Sequence, residues 1–136
     1  MKIIQVSGRS KSGKTTFIKS LVPVLNQKGR VAVIKHLADH DFLLEKGKDT
    51  TGFFDAGAEV SAGIDGHKSV VAIQNNSLDA MLALLKTQGM DFVVVEGFKQ
   101  RSFKKIVIGD LKVEGCIFHN PTVHDVVASI DRFDTY

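Results

Sequence analysis

The alternation of apolar and polar positions along the chain predicts strands separated by helices. A short β-rich run at Lys2–Ser7 and a continuous apolar run at Phe92–Val95 are typical of strands buried inside a parallel sheet. Apolar residues that recur three and four positions apart predict helices over Thr15–Lys28 and between Ser77 and Gly89. Strands that alternate with helices indicate a layered α/β fold with right-handed crossovers.

The remaining predicted elements are shorter. Further strands are predicted at Val31–Lys35, Val60–Ile64, Ser69–Gln74, Lys105–Ile108 and Val113–Phe118. Short helices are predicted at Asp49–Ala58 and Thr122–Phe133, and the turn Asp65–Gly66 indicates an antiparallel pair. We therefore expect residues 1–136 to form a single α/β domain, a three-layer sandwich with a mostly parallel sheet and some antiparallel edge strands.

Composition narrows the class of protein. With 136 residues, 43% of them apolar and 24% charged, the chain has the profile of one ordinary globular domain. Its net charge of +3 suits anionic ligands but falls short of the concentrated basic face of a nucleic-acid binder. The single cysteine, Cys116, excludes an internal disulfide framework and is expected to be an inert core thiol. No apolar run approaches the roughly 20 residues that cross a bilayer, so we expect a soluble, cytoplasmic protein that contacts neither membrane nor nucleic acid.

The strongest chemical signal is the segment Gly8–Thr15, GRSKSGKT, which matches the P-loop pattern G-x-x-x-x-G-K-[ST] between a strand and a helix. The glycines allow the backbone to curl until successive N–H groups surround phosphate oxygens. Lys14 is expected to reach the β- and γ-phosphates, and the Thr15 hydroxyl to coordinate Mg²⁺. The segment therefore predicts a single P-loop domain that binds a nucleoside triphosphate with Mg²⁺.

A P-loop enzyme needs a second acidic group that holds Mg²⁺ through water at the end of a neighbouring strand. The apolar run Phe92–Val95 is followed directly by Glu96. Taken alone, Glu96 would be interpreted as a surface acid at a strand end. Beside a P-loop, it becomes the predicted metal carboxylate.

A long polar stretch at residues 36–48 follows the second predicted strand, and such loops are often functional. Acidic and imidazole side chains lie in or beside it: Asp39, His40, Asp41 and Asp49. In many P-loop NTPases this region touches the metal or positions the attacking water, and Asp49 is our preferred catalytic acid. There are two alternatives. One is a protein-only metal site that includes His36, and the other is a solvated loop without a ligand.

A basic segment follows Glu96, with aromatic residues between its cations: Lys99, Arg101, Lys104 and Lys105 are interleaved with Phe98 and Phe103. A basic turn beside a triphosphate can bind a second anion or stabilise charge on the transferred phosphoryl group. A solvated basic loop is the alternative interpretation.

The base of the nucleotide is not decided by the motifs. Guanine specificity in many GTPases depends on an N-K-x-D sequence, which this chain lacks. Asn120–Thr122 lies where a base-contacting loop could be. These three residues do not indicate whether the bound nucleotide is ATP or GTP.

Beyond the P-loop, four short motifs follow in order: Val33-Ile34-Lys35-His36, Gly47-Lys48-Asp49-Thr50, Ala56-Gly57-Ala58 and Val95-Glu96-Gly97-Phe98-Lys99. Their order and spacing resemble the molybdopterin-guanine dinucleotide biosynthesis protein B family (MobB), in which I-K-H, G-K-D-[ST], A-G-A and V-E-G-[FWY]-K recur. The resemblance covers about Lys2 to Ile108. This chain departs from the family pattern at Ala38-Asp39, at Thr51–Phe54 and at Lys104. These positions bear on the partner-facing or pterin-facing surface.

The resemblance implies a dimeric GTP-binding protein with a slow intrinsic GTPase, which assists the guanylyltransferase that attaches GMP to molybdopterin. It implies GTP and Mg²⁺ as bound groups, and molybdopterin as a further candidate ligand. Carried over by position, the phosphate-binding residues are Gly8, Arg9, Ser10, Lys11, Ser12, Gly13, Lys14, Thr15 and Thr16. Thr15 and Glu96 would serve Mg²⁺, and Lys14, Asp49 and Glu96 are the candidates for catalysis. The adjacent Phe53 and Phe54 are a candidate surface for the dimer.

Two rival functions stay open. A small-molecule P-loop kinase would transfer the γ-phosphate to an acceptor, although the chain has little room for a lid or a second substrate pocket. A nucleotide-dependent binding module would bind the triphosphate without turnover.

Overall fold

The computed structural model describes residues 1–37, 41 and 43–136, and the chain divides into two compact units. The first unit comprises residues 1–38 and 81–136, and the second comprises residues 39–80. The elements in chain order are β1 (Lys2–Ser7), α1 (Lys14–Asn26), β2 (Val31–Lys35), α2 (Asp49–Asp55), β3 (Val60–Ile64), β4 (Ser69–Ile73), α3 (Leu78–Thr87), β5 (Phe92–Glu96), β6 (Lys105–Val107), β7 (Cys116–His119), α4 (Val123–Ala128) and β8 (Asp134–Thr135).

The first unit is built on a mostly parallel sheet in the order β2-β5-β1-β6-β7. Each pair of neighbours along this path is parallel, and the two-residue strand β8 adds an antiparallel pairing at the start of β1. In such a sheet the carboxyl ends of the strands meet at one edge, which is where α/β proteins bind ligands. The P-loop follows β1 at the middle of that edge.

The register of the sheet places successive residues of the central strands on opposite faces. Ile4 of β1 pairs with Val94 of β5, and both pack with Leu21 of α1 in the main core cluster. The adjacent pair, Ile3 and Val93, points to the opposite face and is buried as well. Burial on both faces is the property that the continuous apolar runs predicted, and the α/β fold class is confirmed.

The second unit contains α2 and a β-hairpin. Strands β3 and β4 pair antiparallel over their whole length and form a separate two-stranded sheet. Their turn is closed by Asp65, whose Oδ1 accepts hydrogen bonds from the backbone N–H groups of His67 and Lys68 at 2.7 and 2.8 Å. The Ser61 hydroxyl donates to the carbonyl oxygen of Thr50 at 2.6 Å and ties β3 to α2.

Two elements near the end of the chain differ from the prediction. The last helix ends at Ala128 and is followed by a 3₁₀ turn at Ile130–Arg132. Strand β7 begins only at Cys116, because Gly115 has a left-handed φ of 76°. The prediction that Cys116 is a core thiol is wrong: β7 lies at the edge of the sheet, and Cys116 is exposed there.

Candidate functional site

The P-loop leaves β1 at Gly8 and enters α1 at Lys14. A Cβ atom on Gly8 would overlap the carbonyl oxygen of Ile108 and would lie 2.6 Å from Oγ of Ser12. Gly13, the residue before the helix, has a φ of 95°, a conformation that side-chain-bearing residues rarely adopt. The backbone path therefore requires glycine at both glycine positions of the motif.

The P-loop carries hydrogen-bond donors that the other described residues do not use. The first N–H groups of α1 have no partner within the helix and lie at its positive end. Oγ of Ser12 is buried and has no hydrogen-bond partner among the described residues. Nζ of Lys14 donates to the carbonyl oxygen of Arg9 at 2.6 Å, so the side chain curls back over the loop. Such a concave set of donors fits a phosphate chain.

Glu96 lies beside the start of the P-loop helix. It pairs with Val6 of β1, whose side chain belongs to the core cluster with α1, so Glu96 faces the same side of the sheet as that helix. Oγ1 of Thr15 lies 3.4 Å from Oε2 of Glu96, and Glu96 is only 8% exposed. A hydroxyl and a carboxylate at this separation provide the oxygen ligands that Mg²⁺ prefers.

Lys35, at the end of β2, is a site residue that sequence reasoning missed. Strand β2 lies next to β5, and Lys35 pairs with Glu96. Nζ of Lys35 is 3.7 Å from Oε1 of Glu96, so each carboxylate oxygen has its own neighbour. The two-residue period of β2 indicates the face on which Lys35 lies, but only the strand order reveals that Glu96 is beside it.

The segment after Glu96 has an unusual backbone that is supported by a buried glutamine. Gly97 and Phe98 have φ values of 94° and 50°. Gln5 of β1 is fully buried, and its Nε2 donates to the carbonyl oxygens of Gly97 and Phe98 at 2.7 Å each. A polar residue inside an otherwise apolar strand is the signal that could have drawn attention to this support.

Lys105 supports the same segment from β6. It is 2% exposed, and its Nζ donates to the carbonyl oxygens of Lys99 and Arg101 at 3.3 and 2.7 Å. Burial lowers the pKa of the Lys105 ammonium. The prediction that Lys105 belongs to an anion-binding surface is therefore wrong. Lys99 and Lys104 are exposed, and the Arg101 guanidinium lies 5.1 Å from the centre of the Phe103 ring.

The ends of β2 and β5 are packed together by an aromatic contact. The rings of His36 and Phe98 stack with their centroids 4.4 Å apart. The backbone N–H of His36 donates to the carbonyl oxygen of Glu96 at 2.9 Å. A Cβ on Gly97 would lie 2.8 Å from Cβ of His36. The two motifs that contain these residues are thus parts of one structural unit.

On the other side of the P-loop, Asn120 supports the loop after β6. Its Oδ1 accepts from the N–H of Gly109 at 2.7 Å, and its Nδ2 donates to the carbonyl oxygen of Gly109 at 3.3 Å. Gly109 in turn lies against the P-loop, since a Cβ there would be 3.1 Å from Cβ of Ser12. The Asn120 amide is therefore engaged by the protein itself.

The other predicted residues lie in the loop after β2 and in the second unit. Asp49 is the first residue of α2, and its carboxylate is exposed. Asp39 and His40 lie outside the described residues. Among the residues that are described, no group of three His, Cys, Asp or Glu side chains could hold a metal ion. The structure thus brings Lys14, Thr15 and Glu96 together within the first unit.

The family to which the chain belongs follows from comparison with known proteins. The family model described as molybdopterin guanine dinucleotide synthesis protein B, MobB, matches residues 3–131. The chain belongs to the MobB family. A relative from Methanocaldococcus jannaschii is 35% identical over 100 residues, which are 74% of this chain and 42% of the relative. The Escherichia coli relative, named molybdopterin-guanine dinucleotide biosynthesis adapter protein, is 32% identical over 114 residues, 73% of this chain and 60% of the relative. This chain therefore spans about half the length of these curated MobB relatives.

Solved MobB structures share the fold. The crystal structure of Bacillus subtilis MobB matches with a TM-score of 0.77 and 23% identity, covering 100% of both chains. A crystal structure of molybdopterin-guanine biosynthesis protein B matches with a TM-score of 0.65 and 23% identity, covering 94% of this chain and 97% of the other. Within the part of this MobB-family chain that the structure describes, no helix is long and apolar enough to span a membrane.

Proposed function

We propose that this MobB-family chain binds GTP with Mg²⁺ at the P-loop and hydrolyses GTP slowly, as an adapter in the biosynthesis of molybdopterin guanine dinucleotide. The observation that carries the proposal is the 3.4 Å contact between Thr15 and Glu96 at the mouth of the P-loop. The Ser12 hydroxyl, which has no hydrogen-bond partner in the described part of the chain, and the close fit around Gly8 support a phosphate in the loop. Family membership supports the pathway.

Each site residue has a distinct task in this proposal. The backbone of residues 8–16 would bind the phosphates. Nζ of Lys14, which donates to the Arg9 carbonyl oxygen in this structure, would instead contact the β- and γ-phosphates. The Thr15 hydroxyl would ligate Mg²⁺ directly, and the Glu96 carboxylate would orient the metal-bound water. When bound, Mg²⁺ neutralises charge on the phosphate oxygens.

Hydrolysis requires a group that positions water in line with the γ-phosphorus, and we assign this task to Asp49. The water oxygen bonds to the γ-phosphorus while the bond to the β–γ bridging oxygen breaks, and the water proton passes to a phosphate oxygen. Replacing Asp49 by Asn should lower turnover by about tenfold or more and leave the dissociation constant of GTP within about twofold. Unchanged turnover would remove Asp49 from the proposal.

Family membership supports the choice of partners. We propose that the chain acts as a homodimer and assists a guanylyltransferase that attaches GMP to molybdopterin. Lys99 is exposed three residues after Glu96 and would meet an acidic loop of the partner or the phosphate of molybdopterin. Such a pathway fits a cytoplasmic protein.

Calorimetric titration with the slowly hydrolysed analogues GTPγS and ATPγS, each with Mg²⁺ and with EDTA, tests the proposal. We expect Mg²⁺-dependent binding that is tighter for GTPγS. No binding of either analogue would overturn the function, and tighter binding of ATPγS would overturn the choice of base. GDP release that depends on a small acceptor would identify a kinase instead, and nucleotide-dependent partner binding without turnover would identify a binding module.

A further inference from the structure

Lys35 lies on the side of the sheet that carries the P-loop helix. Within β2, Lys35 shares a face with Val31, which packs against the core cluster that contains Leu21 of α1. Its partner across the β2–β5 ladder is Glu96, and the partner of Glu96 across the β5–β1 ladder is Val6. Lys35, Glu96 and Val6 are therefore neighbours on three adjacent strands. All three face the side of the sheet that carries α1.

Among the described residues Glu96 is the one charged partner of the Lys35 ammonium group, which leaves donors for a ligand. Nζ carries three hydrogens, and it lies 3.7 Å from Oε1 of Glu96, with the side chain 52% exposed. At this distance, and with the Lys35 side chain half exposed, the ion pair contributes little to stability. The contact with Glu96 therefore sets the position of the charge more than it stabilises the fold.

The charge of Lys35 lies beside Glu96, the carboxylate that contacts the P-loop threonine. In P-loop proteins the lysine of the motif contacts the β- and γ-phosphates, and the threonine of the motif ligates Mg²⁺. Thr15 lies 3.4 Å from one oxygen of Glu96, and Lys35 lies 3.7 Å from the other. A γ-phosphate bound between Lys14 and the metal would be within the reach of the Lys35 side chain, whereas a diphosphate ends before it.

We propose that Lys35 binds the γ-phosphate and makes the site prefer a triphosphate over a diphosphate. The inference rests on the proposed function and adds the residue that distinguishes the two nucleotide states. A P-loop lysine contacts both the β- and the γ-phosphate, so Lys14 keeps part of its contact when the nucleotide is a diphosphate. Lys35, which approaches from a neighbouring strand, contacts only the last phosphate.

The alternative is that Lys35 acts only by orienting Glu96. Glu96 serves the metal, and Mg²⁺ accompanies both GTP and GDP. Loss of a merely orienting Lys35 would therefore weaken the Mg²⁺-dependent binding of both nucleotides by the same factor. Loss of a γ-phosphate contact weakens GTPγS alone, which separates the two roles.

The experiment measures the dissociation constants of GTPγS and GDP, with Mg²⁺ and with EDTA, for the wild-type chain, Lys35→Met, Lys35→Arg and Lys28→Met. In Lys35→Met we expect GTPγS with Mg²⁺ to bind about tenfold more weakly, the loss of one charge-assisted hydrogen bond, while GDP changes by less than about twofold. In Lys35→Arg, the ratio of the GDP dissociation constant to the GTPγS dissociation constant should be close to that of the wild-type chain. Lys28→Met removes an exposed cation just past the opposite end of α1 and should change neither constant.

The outcomes are distinct. If the wild-type chain binds GTPγS and Lys35→Met leaves the ratio of the two constants unchanged, the inference is overturned and the proposed function stands. A uniform loss for both nucleotides overturns it in the same way and assigns Lys35 to the orientation of Glu96. If the wild-type chain binds no GTPγS, the proposed function and the inference both fall. Equal unfolding midpoints of the four proteins without nucleotide ensure that the ratio reports binding.

Discussion

Gln5 and Lys105 face each other across the β1–β6 ladder, and both are buried and donate to the turn that follows Glu96. Together they make four hydrogen bonds to the carbonyl oxygens of residues 97, 98, 99 and 101. Two polar side chains inside a sheet are unfavourable unless their donors are used. Here the donors hold a strained turn, which includes the left-handed Phe98, against the end of the sheet.

Loss of the Lys105 ammonium should loosen this turn. In Lys105→Met the carbonyl oxygens of Lys99 and Arg101 lose their donor, so local opening becomes easier. We expect trypsin to cleave after Lys99 and Arg101 several times faster than in the wild-type protein. Lys104→Met, which changes the exposed neighbour, is the matched control and should cleave at the wild-type rate. Equal rates in both variants would show that the turn needs no support from β6.

Replacing Lys14 by Ala should abolish triphosphate binding without unfolding the protein. Among the described residues, the Lys14 ammonium hydrogen-bonds to a carbonyl oxygen of its own loop and to no core side chain. We expect GTPγS affinity to fall by about 100-fold or more, the loss of charge-assisted bonds to two phosphates, while the unfolding midpoint without ligand stays the same. Lys19→Ala, on the exposed side of α1, should keep the wild-type affinity. A large fall in the midpoint would instead make Lys14 a structural residue.

Replacing Glu96 by Gln should separate the metal from the nucleotide. Gln keeps the shape and can still accept a hydrogen bond from Thr15, but it loses the charge that orders metal-bound water. Binding of GTPγS in Mg²⁺ should weaken, and binding in EDTA should not. Calorimetry at several Mg²⁺ concentrations measures both. An equal loss in the two buffers would mean that Glu96 acts through general electrostatics or structure.

The cap of α4 predicts a stability effect that depends on pH. Thr122 and Asp125 form a reciprocal capping box, in which Oδ2 of Asp125 accepts from the hydroxyl and the N–H of Thr122 at 2.7 and 2.9 Å. These hydrogen bonds lower the pKa of the Asp125 carboxyl. Because the pKa is lower in the folded state, the stabilisation is complete above the ordinary pKa of aspartate, about 3.9, and is lost as pH falls through the folded value.

We therefore expect Asp125→Asn to unfold at a lower temperature than the wild-type chain at pH 7, and this difference to shrink as pH falls below about 4. Thermal unfolding followed by circular dichroism at several pH values measures it. Thr122→Ala should lower the free energy of unfolding by about 1 kcal/mol at pH 7. A difference that stays constant down to pH 2 would contradict the assignment of the effect to the Asp125 carboxylate.

The proposed homodimer predicts a mass of twice the 14.8 kDa chain. Phe53 of α2 has 61% of its surface exposed, and a large apolar side chain in contact with water favours association. At high micromolar concentration, sedimentation should give a dimer for the wild-type chain and a larger monomer fraction for Phe53→Ser. Asp55→Ser, an exposed change on the same helix, serves as the control. A monomer at every concentration would exclude the dimer.

Much of the fold and of the candidate site could be predicted because the relevant patterns are local. The P-loop motif encodes its own backbone, since Gly8 and Gly13 occupy positions that only glycine fits. The apolar run of β5 predicts burial on both faces, and the acid that ends it emerges at the edge of the sheet where the P-loop opens. Thr15 and Glu96 could therefore be paired from their places in the motif and the strand.

Lys35 and Lys105 show what only the tertiary structure decided. In the sequence, Lys35 ends one predicted strand, and Lys105 begins another and also belongs to the predicted basic segment. The strand order sets Lys35 beside Glu96, and the strand register turns Lys105 inward beside Gln5. A period of two residues tells which side chains share a face, but which strands are neighbours depends on crossovers that bring together segments far apart in the chain. The same chemical group is consequently half exposed beside a carboxylate in one place and engaged by backbone carbonyl oxygens in the other.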